Sequence, residues 1–494
     1  MGITGNWDRS ISRRKFLKLG SIGAAGFFLG SVGSLSLSLN QSAANTGAQR
    51  ASAGYGKLVA DPGGVLDLPA GFQYRIISEE GKTMTNGAPI PGDFDGMAAF
   101  RGKGDTIVLV RNHELKPGEG PAVHGKNPYD STCSGGTTGL IVGPDRKVIQ
   151  EYVTSSGTTN NCAGGATPWG TWLTCEEDRT TNHGYVFEVM PDDPENVLSK
   201  TPIREMGFFS HEAVDIDPAT GIVYLTEDDF RGTIDPNDPN NDTRFSFLYR
   251  FIPNDRSQRP GALQKGGKLQ AIAIDERKGP DADLFKPGQK FGVVWRDVDP
   301  EEPHDDALAK GCIRFNRLEG AFFADGAFWF DDTAGGEKRL GQIYRYIPAT
   351  ETLELFAEGT DSNQMESPDN ICITPWGDLW FVEDGPGVNR LMGITPAGEI
   401  YEFARNRLND SELAGPTFSP DGQTFFVNIQ TPGITFAIWG PFQGQNASLR
   451  RQLAHAAPPK EWAPRIPEQV AEAAERYGMS PLEAAAFHRF GVPL

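Results

Sequence analysis

The stretch EAVDIDPATGIVYLTEDD, residues 212–229, decides the fold. A short apolar strand runs into a Pro-containing turn closed by Gly221, and a second apolar strand then ends in acids. The unit recurs five more times: DGMAAFRGKGDTIVLVRNHE (95–114), CAGGATPWGTWLTCEED (162–178), EGAFFADGAFWFDD (319–332), DNICITPWGDLWFVED (369–384) and AGPTFSPDGQTFFVNIQ (414–430). A third apolar segment follows each copy, at 139–142, 184–189, 246–251, 341–346, 389–394 and 433–438, and fourth strands such as Val148–Val153 fit between. The turn glycines are 66, 51, 105, 51 and 45 residues apart, the long intervals being loop insertions. Six strand meanders at such a period predict an all-β six-bladed β-propeller over residues 91–445. A β-sandwich gives no reason for one turn and a mostly acidic ending to recur six times.

The rest of the 494-residue chain agrees. With 59 Gly and 36 Pro, turns are frequent, and 30 Phe, 11 Tyr and 9 Trp supply ample core. The net charge of −19 excludes nucleic acid as a partner, since such a surface repels phosphates. Five dispersed cysteines are too few for a disulfide scaffold; Cys133, Cys175, Cys312 and Cys372 read as small apolar residues.

Residues 1–44 form an expected export signal. Ser12-Arg-Arg-Lys-Phe-Leu-Lys18 precedes a Gly/Ser-diluted apolar run and small-residue cleavage sites, which resembles a twin-arginine leader. The expected location is periplasmic or extracellular, the partner being the twin-arginine export machinery. No stable membrane insertion is expected unless the signal is retained. Residues 45–90 form a lead-in segment or a strand closing the propeller. Residues 446–494, after Pro458-Pro459, read as a short helical tail, with Ser480-Pro-Leu-Glu483 as a helix start.

The repeat places equivalent residues around one axis. One set precedes the turn glycine: Asp95, Cys162, Glu212, Glu319, Asp369 and Ala414. The other ends the second strand: Glu114, Glu176, Glu227, Asp332, Glu383 and Asn428. Like charges so gathered raise each other's pKa steeply unless multivalent cations sit among them. Carboxylates suit Ca²⁺ and a thiolate suits a transition metal, so Cys162 points to a mixed-metal site. The plainer alternative is that these acids face solvent at the blade rims. His113 and His211 are expected to orient neighbouring groups, and the other five histidines show no ligand spacing.

The block NCAGGATPWGTWLTCEE (161–177), together with SHEA (210–213), YLTED (224–228) and RFNRLEG (314–320), resembles the PhoX-type alkaline phosphatases. That resemblance implies a six-bladed propeller holding two iron and three calcium ions, exported by the twin-arginine route and hydrolysing phosphate monoesters. It implies Cys162, Glu176, Glu227 and Glu319 as metal ligands, with Glu212 fitting by motif and ring position. It also implies that Arg317 acts on substrate phosphate beside Glu319. Asp332, Asp369, Asn370, Glu383 and Glu114 follow from the repeat. Leu318 stands where many members carry Pro, and the chain is shorter than the larger members.

The expected chemistry uses a metal-bound oxo or hydroxide as nucleophile, with Arg317 forming bidentate bonds to phosphate. A structural ion pair is the alternative for Arg317. Two rival functions remain at this level: a calcium-dependent propeller lactonase or esterase, and a non-enzymatic calcium-stabilised scaffold. Neither needs Cys162 or Arg317.

Overall fold

Residue 434 begins a strand whose outer neighbour comes from the far end of the chain. Ile434–Trp439 pairs antiparallel with Gln73–Glu79, and this non-covalent seam closes a ring of six sheets. The computed structural model describes residues 53–443 apart from 230–233, 236–237, 243–244 and 277. The expected signal (1–44) and helical tail (446–494) lie outside the described residues.

The six-bladed propeller is present, and its blades are numbered here in chain order. Their innermost strands are Phe94–Arg101, Asn161–Ala166, His211–Ile216, Leu318–Ala324, Pro368–Ile373 and Leu413–Phe418. Each packs beside the next, and the sixth packs beside the first. The blades are not uniformly four-stranded. Blade two has three strands, while Lys290–Gly292 gives blade four a fifth, and Leu66–Pro69 with Leu58–Val59 extends blade five to six. The one α-helix among the described residues is Pro303–Ala309, and none is long and apolar enough to cross a membrane.

The first turn of each blade follows from its sequence. Asp325-Gly326 has φ of 50° and 76°, the positive pair that a two-residue hairpin matched to strand twist requires. In blades two, five and six a hydroxyl at the turn start accepts a backbone N–H across the turn: Thr167 from Thr171 at 2.9 Å, Thr374 from Asp378 at 2.9 Å, and Ser419 from Thr424 at 3.0 Å. Alternating side chains then form an apolar layer between each pair of blades. Val110 meets Trp172, Leu173 meets Leu225, and Tyr224 meets Phe328; Ile343 meets Phe381, Trp380 meets Phe425, and Leu109 meets Phe426.

The innermost strand of every blade carries a β-bulge at the same place. Register shifts between Phe94 and Met97, Asn161 and Gly164, His211 and Val214, Leu318 and Ala321, Pro368 and Ile371, and Ala414 and Thr417. Two residues are skipped each time: Asp95-Gly96, Cys162-Ala163, Glu212-Ala213, Glu319-Gly320, Asp369-Asn370 and Gly415-Pro416. A bulge bends the strand and re-aims a side chain, which is why one residue per blade turns to the channel mouth. The sixth equivalent is therefore Gly415, not Ala414, because the blade-six bulge begins one residue later than the motif count suggests.

The skipped backbone groups find partners on the preceding blade. Asn112 Nδ2 donates to the carbonyls of Cys162 (3.0 Å) and Ala163 (2.7 Å), Thr226 Oγ1 to that of Glu319 (2.6 Å), and Asn428 Nδ2 to that of Asp95 (2.7 Å). Gly320 lets two inner strands touch: a Cβ there would lie 2.5 Å from the Asp369 carbonyl oxygen and 2.8 Å from Asn370 Cα. Gly320→Ala is therefore expected to lower stability by about 1–3 kcal/mol through overpacking. Urea unfolding reads this, and an unchanged midpoint would show that the strands have room.

Candidate metal centre

Acids from all six blades gather at one end of the channel, four of them presented by the bulges. Cys162, Glu177 and Glu212 form one group, Glu212, Glu319 and Asp369 a second, and Asp95, Glu114 and Glu412 a third. Within each group the ligand atoms lie within 4.8 Å of one another. Glu212 belongs to two groups and links them. Asp228 and Asp384 complete the cluster electrostatically, acting on Glu177 and Glu319 and on Asp369 and Glu412 respectively. Asp95, Cys162, Glu212, Asp228 and Glu319 are buried; Glu114, Glu177, Asp369 and Glu412 are half-buried, and Asp384 is exposed, so the cluster opens to solvent at one mouth.

Of the residues expected on the axis, the structure brings together Cys162, Glu212, Glu319, Asp369 and Glu114. It does not bring Glu176, Glu227, Asp332 or Glu383 there. Each of these lies directly opposite the residue before the bulge: Glu176 opposite Asn161, Glu227 opposite His211, Asp332 opposite Leu318, Glu383 opposite Pro368. Their side chains turn outward and hold loops. Glu176 accepts from His183 Nδ1 (2.7 Å) and from the amides of Thr159 and Gly184. Glu227 accepts from His304 Nδ1 (2.9 Å), the Tyr249 hydroxyl (3.0 Å) and Phe247 N. Asp332 accepts from Asn316 N, and Glu383 is clasped by Arg390 at 2.6 and 2.7 Å.

The correction has a simple cause. Strand side chains alternate, so in blades two, three and five the second member of the acidic doublet faces the axis when the first does not, whereas in blade four the doublet comes one residue earlier and its second member, Asp332, is the outward one. Glu177, Asp228 and Asp384 are those second members. In blade one His113 lies opposite Phe94, so Glu114 aligns with Glu177 rather than with Glu176. Glu412 lies on the approach to the innermost strand of blade six, where the bulge itself offers Gly415. Asn370 belongs beneath the cluster: it donates to Asp369 Oδ1 at 2.6 Å and accepts from Gly415 N at 2.7 Å.

His113 and His211 do not touch the cluster. His113 bridges the Gly92 carbonyl and the Thr138 hydroxyl, and His211 bonds the Gly207 carbonyl at 2.9 Å. Burial pushes both below the usual imidazole range, so both are neutral struts. All five cysteines are free thiols. A separate cavity of about 420 Å³ lies beyond the bulges, lined by Met97, Phe322, Ile371 and Phe418 among others, and includes none of the clustered acids.

Burial pushes the carboxyls of Asp95, Glu177, Glu212, Glu319 and Glu412 well above their usual range, and neighbouring acids push the same way. Glu114 and Asp369 are pushed up to about 7. Burial, then Glu212, raises the Cys162 thiol. Arg317 and Lys116 supply the opposing charge. The Arg317 guanidinium donates to Asp228 at 2.8 Å and Glu319 at 2.6 Å. One arginine cannot neutralise this many acids. The donor set, many carboxylate oxygens with one sulfur, fits hard Ca²⁺ together with a thiolate-accepting transition metal.

Two outcomes test this geometry. Asp384→Asn should lower bound metal by elemental analysis with little loss of stability, whereas Glu383→Gln should lower stability and leave metal content intact. Equal effects on metal would contradict the assignment of faces. In chelator, raised carboxyl pKa values favour the folded state while the acids are protonated. Stability should therefore fall as pH rises from about 4, where the unfolded chain ionises first, through about 7, where Glu114 and Asp369 ionise in the fold. Added Ca²⁺ should abolish that fall in urea unfolding.

The sequence matches the family profile "Alkaline phosphatase PhoX" over residues 53–142 and 122–433. The fold is similar to that of Pseudomonas fluorescens PhoX in complex with vanadate, a transition state analogue: TM-score 0.58, 20% identity, 76% of this chain and 96% of that chain. More distant likenesses include the gluconolactonase XC5397 of Xanthomonas campestris (TM-score 0.42, 12% identity, 78% and 99% coverage). Virginiamycin B lyase of Staphylococcus aureus is more distant again (0.34, 12%, 74% and 99%). No curated relative matches the chain. With most of its length matched by that profile, the chain belongs to the PhoX alkaline phosphatase family.

Proposed function

We propose that this chain is a metal-dependent phosphatase acting on small phosphate monoesters. It is exported by the twin-arginine pathway to the periplasm or beyond. The observation that carries the reading is the solvent-open cluster of acids and one thiol at the end of the channel, with a single arginine among them. An acidic mouth repels phosphate esters unless bound cations overcompensate, and so many buried carboxylates demand such cations.

In this reading Cys162, Glu177, Glu212, Glu319 and Asp369 hold calcium and iron ions, with Asp95, Glu114 and Glu412 as a further oxygen-donor set. Three calcium and two iron ions are the proposed complement. When bound, the ions supply positive charge for the phosphoryl oxygens and acidify the attacking water. The protein's own part is positional. Glu319 and Asp228 hold the guanidinium of Arg317 over the cluster, and the side chain remains 22% exposed toward the mouth. A planar guanidinium so held offers phosphate paired N–H donors, which an ammonium group cannot. The glycines and bulges beneath fix the donors in place.

The test is hydrolysis of p-nitrophenyl phosphate, set beside a phosphodiester and a lactone. Preferred turnover of the monoester, lost in chelator and restored by Ca²⁺ with iron, is expected. Preferred turnover of the lactone would overturn the proposal. Arg317→Ala should lower kcat/KM by roughly 10- to 150-fold, the size of a lost charged hydrogen bond of ~1.5–3 kcal/mol. Arg317→Lys should recover only part of it. Cys162→Ser should lose iron while calcium is retained.

A further inference from the structure

A second donor set lies away from the axis, between the loops that follow the second strands of blades one and two. Asp130 and Cys133 come from the first loop and His183 from the second, and their ligand atoms lie within 4.8 Å of one another. Cys133 Sγ is 3.4 Å from His183 Nε2, and Asp130 Oδ2 is 3.7 Å from the same nitrogen. Around a tetrahedral zinc ion, with Zn–S ~2.3 Å and Zn–N or Zn–O ~2.0–2.1 Å, ligand atoms stand roughly 3.3–3.6 Å apart. The three groups thus already have close to the spacing of a first shell.

The imidazole is oriented for the purpose. His183 Nδ1 donates to Glu176 Oε1 at 2.7 Å, so Nε2 is the nitrogen turned to Cys133 and Asp130 and is the one that would give its lone pair to an ion displacing its proton. A carboxylate behind a histidine is the usual support for a metal-binding imidazole. Asp130 is fixed as well: its Oδ1 accepts from the amide and hydroxyl of Thr132, both at 2.7 Å, which leaves Oδ2 on the His183 side. The two loops are tied by the Tyr129 hydroxyl to the Asn182 carbonyl at 2.8 Å, and Asp130 N anchors the first loop to the Gly157 carbonyl of blade one's own last strand at 2.9 Å. The Asp130 side chain is 39% exposed, so an ion has a way in.

We propose that Asp130, Cys133 and His183 form a peripheral site for a borderline divalent cation, Zn²⁺ by its chemistry, that clips the blade-one loop to the blade-two loop. Sulfur with nitrogen and a single carboxylate selects this class over Ca²⁺, which takes six or more oxygens. The clip bears on Glu176, the residue next to Glu177, and so acts as a positioning device for the edge of the axial cluster. It does not depend on what that cluster catalyses.

The full-length protein, kept reduced, is titrated with Co²⁺ and read by thiolate-to-cobalt charge-transfer absorption. A band that saturates near one equivalent, is lost in Cys133→Ser and is kept in Cys162→Ser is expected. A band kept in Cys133→Ser but lost in Cys162→Ser would place the ion on the axis and overturn the proposal. Absence of any band would overturn it too, leaving only the hydrogen bond between Cys133 and His183. Asp130→Asn, a partly exposed and isosteric change, should weaken Co²⁺ binding roughly 10-fold or more with near-UV circular dichroism unchanged; unaltered affinity would count against the site.

Discussion

Mutual repulsion among buried carboxylates is the constraint on which this structure turns. Glu212, Glu319 and Asp369 hold their oxygens within 4.8 Å of each other, in a protein whose net charge is already −19. No arrangement of strands alone favours that. The fold opposes it with six apolar layers between blades, a non-covalent seam at Thr435 and Ser78, and inner strands in contact at Gly320 and Gly96. The chain thus commits its packing to holding apart-seeking groups together, which is the arrangement that a cation-dependent site needs.

In blades two, three and five the two members of the acidic doublet divide the labour. The inward residue, Glu177, Asp228 or Asp384, meets the axial charges. The outward residue, Glu176, Glu227 or Glu383, is satisfied by His183, His304 or Arg390 and pins the loop behind it. Position of the inward group therefore depends on the hydrogen bonds of its neighbour one residue away. This links blade stability to the geometry of the mouth, and the Asp130–Cys133–His183 set extends the link to the rim.

Much of this was legible in the sequence because turn glycines fix a counting frame. From that frame came the propeller, the six equivalent strands, and Asp95, Cys162, Glu212, Glu319 and Asp369 as one ring. The frame could not say which member of a doublet faces inward, since a bulge opposite shifts the register and a one-residue slip reverses every face. Glu114 was grouped with Glu176 for the same reason, although it aligns with Glu177. Glu412 lies outside the repeat, and Gly415 rather than Ala414 fills the sixth place. His183 and His304 carry no spacing signal because the loops that bring them to Glu176 and Glu227 differ in length and sequence. The uneven strand number of the blades also escaped the repeat, as edge strands come from distant insertions such as Lys290–Gly292.

The central claim is that cations, rather than protons alone, neutralise the axial acids. Anomalous diffraction from crystals of the purified protein tests it most directly. The account predicts metal peaks among Cys162, Glu177, Glu212, Glu319 and Asp369, with the sulfur-bound one showing a transition-metal edge. An axis without metal, or peaks found only beside Glu176, Glu227 and Glu383, would contradict it.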